Sequence, residues 1–189
     1  VIVYNNILLK YAGESKDLVI PEGVIDVSAN ALQNSDIETV SIPSTLKAIE
    51  ESAFEGCKNL KTFVCDENSS LEIIHKNAFK DCVALEEISL SKTLNTIAEY
   101  AFYGCVNLKQ IDLSSDYLTE VSQYAFANCN DLSNVTFGDS ISIINDYAFY
   151  QTSIKSVKFG DSIKSIGNYA FANVGIAKNK HELFENWEV

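Results

Sequence analysis

The side chains best suited to acid–base, nucleophilic or metal chemistry in this 189-residue chain are two histidines and five cysteines. His75 and His181 lie about a hundred residues apart and share no local motif. The cysteines, Cys57, Cys65, Cys82, Cys105 and Cys129, contain no Cys-x-x-Cys pair, the spacing that lets neighbouring thiolates grip zinc. Gly-Asp-Ser occurs at 138–140 and again at 160–162. It lacks the dense carboxylates of a calcium loop, so it reads as a turn. No glycine-rich phosphate loop and no Gly-x-Ser-x-Gly nucleophile turn is present. Asn68-Ser69-Ser70 and Asn134-Val135-Thr136 fit the glycosylation sequon. The reading is a non-enzyme without cofactor or metal.

The elements that would position these residues follow from an internal repeat. Ala-Phe pairs recur at Ala53-Phe54, Ala78-Phe79, Ala101-Phe102, Ala125-Phe126, Ala148-Phe149 and Ala170-Phe171, with Ala31-Leu32 a diverged seventh. The spacing is 22 to 25 residues, the period of a solenoid. Four residues before each Ala stands the second member of an apolar pair, such as Leu94/Ile97. After it comes an apolar-x-x-apolar-x-apolar run, such as Leu108/Ile111/Leu113, whose last three residues alternate as a strand does. One such coil cannot bury its own apolar edge, but stacked copies make a continuous core. Seven coils at about 4.8 Å per strand give a core roughly 30 Å long.

In this frame the chemical candidates become repeat positions. Cys57, Cys82, Cys105 and Cys129 share one inward slot, which the shorter copies are expected to have deleted. Cys65 takes the third inward strand position. All five are expected to be free, buried thiols, although adjacent ones could come within disulfide range. His75 occupies an outward slot filled elsewhere by Glu50, Ala98, Ser122, Asn145 and Gly167, so it reads as an exchangeable surface residue. Tyr100, Tyr124, Tyr147 and Tyr169 all precede the Ala. They should form a partly exposed ladder. Intercoil packing is the preferred reading, and sugars or proline-rich peptides are the ligands such a row could take.

The run Ile97 through Leu113 fits I-x-x-x-A-F-x-x-C-x-x-L-x-x-I-x-I, and residues 24–176 follow it with small changes. The chain thereby resembles the BspA-like leucine-rich repeats. Leu8-Leu9-Lys10-Tyr11-Ala12-Gly13 and the following Leu18 through Val24 are similar to the opening segment of that family. The resemblance implies a mainly β repeat solenoid with short turns or helical bends, a right-handed superhelix of about seven coils. It also implies a cell-surface or secreted setting and a role in adhesion, but no particular ligand.

The expected organisation is an N-terminal hairpin cap and opening strand at 1–23, the solenoid at 24–176, and a C-terminal cap or tail at 177–189. In that tail Leu183, Phe184 and Trp187 could share a helical face. The formal net charge of −12 argues against nucleic acid and anionic membrane surfaces as partners. No run is long enough to span a membrane. Without an initiator Met the chain reads as a fragment, any signal or anchor lying outside it.

The outward strand positions should form a polar strip, acidic early and basic late. Lys61, Glu86, Glu87, Lys109, Asp112, Asn134, Thr136, Lys155 and Lys158 are its candidate partner-binding residues. The expected partner is an extracellular protein or glycan; the sequence leaves the oligomeric state open. The alternative is a plain solvated face, since the strip lacks the aromatic and Arg anchors of binding hot spots. A structural spacer within a larger surface protein is the second functional reading.

Overall fold

A computed structural model describes residues 1–66 and 68–175. It is a β-solenoid of about seven turns, numbered here as coils one to seven by Ala31, Ala53, Ala78, Ala101, Ala125, Ala148 and Ala170. The coils contribute strands to two walls, coils six and seven to the second wall alone among the described residues. The first wall carries the β-alternating runs: β3 (Asp17–Val19), β5 (Thr39–Ile42), β7 (Thr62–Cys65) and β9 (Glu87–Ile88) form one parallel sheet, and β11 (Gln110–Leu113) pairs with β13 (Asn134–Phe137). The second wall carries two-residue strands: β4 (Asp26–Val27), β6 (Ala48–Ile49), β8 (Ile73–Ile74) and β10 (Thr96–Ile97), then β12 (Glu120–Val121), β14 (Ile143–Ile144) and β15 (Ser165–Ile166). Pairing is in register, Val40 beside Phe63 and Ile49 beside Ile74. Inward positions of one coil therefore lie on those of the next.

The third side is the Ala-Phe bend, built of turns; no α-helix occurs among the described residues. The residue before each Ala and the residue three after it both take left-handed backbone, as Asn30 (φ 59°) and Asn34 (φ 58°) do in coil one. This geometry turns the amides of the bend along the stack. The amide of Phe54 donates to Ala78 O, Phe79 to Ala101 O, Phe102 to Ala125 O, Phe126 to Ala148 O and Phe149 to Ala170 O, each at 2.8 Å. The bend is thus a third intercoil ladder, which satisfies backbone that the core would otherwise leave unpaired.

The core is one continuous cluster. Phe54, Phe79, Phe102, Phe126, Phe149 and Phe171 stack at 5.1 to 5.3 Å along its length. Phe63 meets Phe54 and Phe79 edge-on, and Phe137 meets Phe149 in the same way. Each such aromatic pair contributes about 0.5–1.5 kcal/mol beyond its buried area. The alanines of coils two to six are fully buried where neighbouring bends touch.

At the N-terminus β1 (Ile2–Tyr4) and β2 (Ile7–Lys10) form an antiparallel hairpin. Its turn residues Asn5 (φ 48°) and Asn6 (φ 64°) are both left-handed, the conformation that a two-residue hairpin turn requires. β2 also joins the second wall, with Leu8 beside Val27. Tyr11 donates its amide to Ala31 O, and Leu18 pairs with Val40. Residues 7–20 therefore stack on coil one as a truncated extra coil. The expected helical face of Leu183, Phe184 and Trp187 lies outside the described residues, as does His181.

Candidate functional site

The sulfur positions are structural. Cys57, Cys82, Cys105 and Cys129 are fully buried, and all five cysteines are free thiols. Their role goes beyond apolar packing. Cys82 Sγ donates to Phe54 O, Cys105 Sγ to Phe79 O and Cys129 Sγ to Phe102 O, each at 3.1 Å. Burial pushes the thiols of Cys82, Cys105 and Cys129 far above the ordinary range. Half-buried Cys65 is pushed up to about 11, again by burial. The short copies do not lack this slot, contrary to the reading of a deletion. Ser35 and Thr152 fill it, and Thr152 Oγ1 bonds Phe149 O at 3.0 Å. The missing residue is in the next turn, where Lys58-Asn59 of coil two is matched by Asp36 alone in coil one.

His75 lies on the surface, with Nε2 3.5 Å from Glu50 Oε1. Asp26 is nearby, and its Oδ1 is buried without a hydrogen bond. Burial raises the Asp26 carboxyl, Glu50 adds to the rise, and His75 opposes it. No group of three or more His, Cys, Asp or Glu among the described residues is arranged to hold a metal ion. The two Gly-Asp-Ser turns owe their glycine to contact between coils. A Cβ on Gly138 would stand 2.9 Å from Ser114 Cα, and one on Gly160 would stand 2.7 Å from Asp139 Cα.

The first wall brings its candidate residues into columns. Just before the strands the column reads Lys16, Glu38, Lys61, Glu86, Lys109, Ser133, Lys155. Glu38 accepts from both Lys16 and Lys61 at 2.7 Å, and Lys109 reaches Glu86 at 2.5 Å. The early half therefore alternates in sign instead of forming an acidic patch. The hydrogen bonds from Lys16 and Lys61 hold the Glu38 carboxyl down to about 2. Lys109 lowers Glu86 in the same way. Asp112 is raised by burial, yet its bonds to Ser114 and Lys92 bring it below the ordinary value; Lys92 Nζ is 2.9 Å away. Glu87, Asn134, Thr136, Lys155 and Lys158 are exposed, and no carboxylate of the described residues pairs with either of these two lysines. Val19 and Val64 are exposed apolar positions on the same wall.

The bend edge divides differently. In coils two and three it is charged, with Lys80 pairing with Glu55 at 3.3 Å and Lys76 with Glu99 of coil four at 3.4 Å, whereas coil one is neutral there, with Asn30, Gln33 and Asn34. In coils four to seven it is aromatic. Tyr100 stacks on Tyr124 (4.9 Å), Tyr124 on Tyr147 (4.7 Å) and Tyr147 on Tyr169 (5.0 Å). Tyr103 and Tyr150 lean against Tyr100 and Tyr147. Asn128 and Asn173 donate to the phenol oxygens of Tyr103 and Tyr150. All four ladder tyrosines are left-handed, with φ from 56° to 59°, where a bulky side chain is a genuine outlier. The ladder was legible in the sequence; its backbone was not. The signal was available in Asn30 and Asn77, residues tolerant of left-handed backbone in the same column.

The chain matches the model of the BspA type leucine rich repeat region in six copies, over residues 10–70 and 67–177. Among solved structures it is similar to a leucine rich cell surface protein from Faecalibacterium prausnitzii, at 24% identity and TM-score 0.77, covering 91% of this chain and 49% of that one. A leucine-rich repeat protein from Eubacterium ventriosum gives 24% identity and TM-score 0.80, over 97% and 49%. The Treponema pallidum leucine-rich repeat protein gives 26% and 0.76, over 85% and 77%. The chain spans about half the length of the first two. A search of curated protein sequences finds no match. The six-copy match covers most of the chain and agrees with the repeat geometry: the chain belongs to the BspA-type leucine-rich repeat family.

Proposed function

We propose that this chain is a non-enzymatic repeat module that binds an extracellular protein or glycan, at a cell surface or after secretion, and serves adhesion. One observation carries the reading. Coils held by three ladders of backbone hydrogen bonds present long side-chain columns to solvent, the extended surface solenoids use for binding. The cell-surface description of the Faecalibacterium structure supports the setting. The experiment is binding of the purified chain to arrayed matrix proteins and glycans at physiological salt. Saturable binding to a defined partner is the expected result, and none at high concentration overturns it.

The second reading is a structural spacer within a larger surface protein. The self-paired charges on the first wall favour it, because Glu38, Lys61, Glu86 and Lys109 are already engaged with one another. A chain that binds nothing on the array, yet separates two attached domains by a fixed distance, would bear that reading out.

A further inference from the structure

We propose that the tyrosine ladder of coils four to seven is a platform for an extended, uncharged glycan chain lying along the solenoid axis. This deepens the binding reading above and rests on it. Four observations lead there.

The first is backbone. Asparagine serves the ladder's column in Asn30 and Asn77, and it suits left-handed φ far better than tyrosine does. Placing tyrosine there four times running works against the local preference of the bend. Backbone held against preference by its surroundings concentrates at functional sites. Stacking offsets part of the cost, yet Tyr169, at one end of the described ladder, is 63% exposed.

The second is chemistry. The columns beside the ladder hold Gln123 and Asn168 on one side and Gln151 and Asn173 on the other, while Asn128 is turned inward, its Nδ2 on Tyr103 and its Oδ1 buried. The first four are neutral donors and acceptors suited to sugar hydroxyls. Glu99 and Asp146, the carboxylates of that flank, can accept from hydroxyls but give no attraction to an anionic ligand. The same edge in coils two and three carries charges that are paired, Lys80 with Glu55 and Lys76 with Glu99.

The third is period. The rings repeat at 4.7 to 5.0 Å, close to the rise per unit of an extended β-linked pyranose chain. The rings turn their faces to one another, so a chain along the axis meets their edges, one tyrosine to a sugar, with alternate sugars turned over.

The fourth is size and rigidity. The ladder is three spacings long and one residue wide, far below the ~800 Å² per partner of a standard protein interface. It suits a few sugar units. The rings are fixed by one another before any ligand arrives, so little side-chain freedom is lost on binding.

The test uses calorimetric titration with cellohexaose and chitohexaose, together with an array of neutral linear glycans and immobilised matrix proteins. The ladder variant is Tyr124→Asn/Tyr147→Asn, which keeps the fold because asparagine already serves that column; circular dichroism checks this. The wall variant is Glu87→Lys/Lys155→Glu. The proposal expects glycan binding that falls at least about tenfold in the ladder variant, or about 1.4 kcal/mol, and stays within about twofold in the wall variant. Glycan binding that survives in the ladder variant overturns the platform while leaving the module standing. Binding only to matrix proteins overturns the glycan class and leaves the module standing. Binding to nothing overturns both.

Discussion

Cys105 Sγ donates to the carbonyl oxygen of Phe79, 3.1 Å away and one coil earlier. The thiol that could have been read as a nucleophile is thus a strut between coils. Thr152 makes the hydroxyl version of that contact within its own coil. Native alkylation with iodoacetamide should therefore spare Cys57, Cys82, Cys105 and Cys129. Half-buried Cys65 should react, slowly, because burial has pushed its thiol up to about 11. All five should label after unfolding. Peptide mass mapping reads the result, and rapid labelling of Cys105 in the folded chain would contradict the buried slot.

The ladder's backbone makes an unusual mutational prediction. Tyr147→Asn relieves a left-handed tyrosine, worth about 1–2 kcal/mol, and loses the stacks on Tyr124 and Tyr169 and the edge contact with Tyr150, about 0.5–1.5 kcal/mol each. The relief offsets about half of the loss, so the variant should lose about 1–2 kcal/mol. Tyr147→Ile loses the same stacks and puts a β-branched residue where it fits worst. It should destabilise by about 3 kcal/mol or more. Urea titration of the two variants separates them.

Ala125 is fully buried where the bends of coils four and five meet, and its carbonyl accepts from Phe102 at 2.8 Å. Ala125→Leu must push those bends apart. A loss of about 2–3 kcal/mol is expected from overpacking, read as a lower urea midpoint. A neutral result would mean that the bends do not close as described.

Glu38, bonded to Lys16 and Lys61, sets a pH prediction. Its carboxyl is held down to about 2, below its ordinary 4.5. A carboxylate depressed by folding adds stability above its unfolded value and loses it as pH falls toward its folded one. The contribution is therefore present above 4.5 and fades between 4.5 and about 2. Glu38→Gln should lower stability at neutral pH slightly, and the two proteins should converge over that acid window. The pair is on the surface, so high salt should shrink the difference. A gap between the proteins that is unchanged from pH 6 to pH 2 would contradict the assignment.

The repeat's apolar positions announced the stack because burial and period are local properties of a sequence. The Ala-Phe pairs, the alternating strand residues and the in-phase cysteines all fall on the core. Other features depend on what neighbours do. The strip's charges read as patches along the chain, but stacking sets Glu38 between Lys16 and Lys61 and makes them alternate. The deletion in short copies was assigned to the cysteine slot because no cysteine stands there; Ser35 and Thr152 keep it by hydrogen bonding instead. The left-handed bends were hidden by the tyrosines, although Asn34, Gly56, Asp81, Gly104, Asn128 and Asn173 mark the second left-handed column plainly. Leu8 and Tyr11 also stack on coil one, which no Ala-Phe pair in their own segment announces.

Hydroxyl-radical footprinting with bound partner tests most directly whether the chain is a binding module working through its aromatic bend edge. Oxidation of Tyr100, Tyr124, Tyr147 and Tyr169 would be compared with and without a saturating glycan found on the array. Protection of the ladder, with Val19 and Val64 on the first wall equally oxidised in both states, is the predicted result. Protection of those wall residues with the tyrosines unchanged would contradict it and return the site to the strand face.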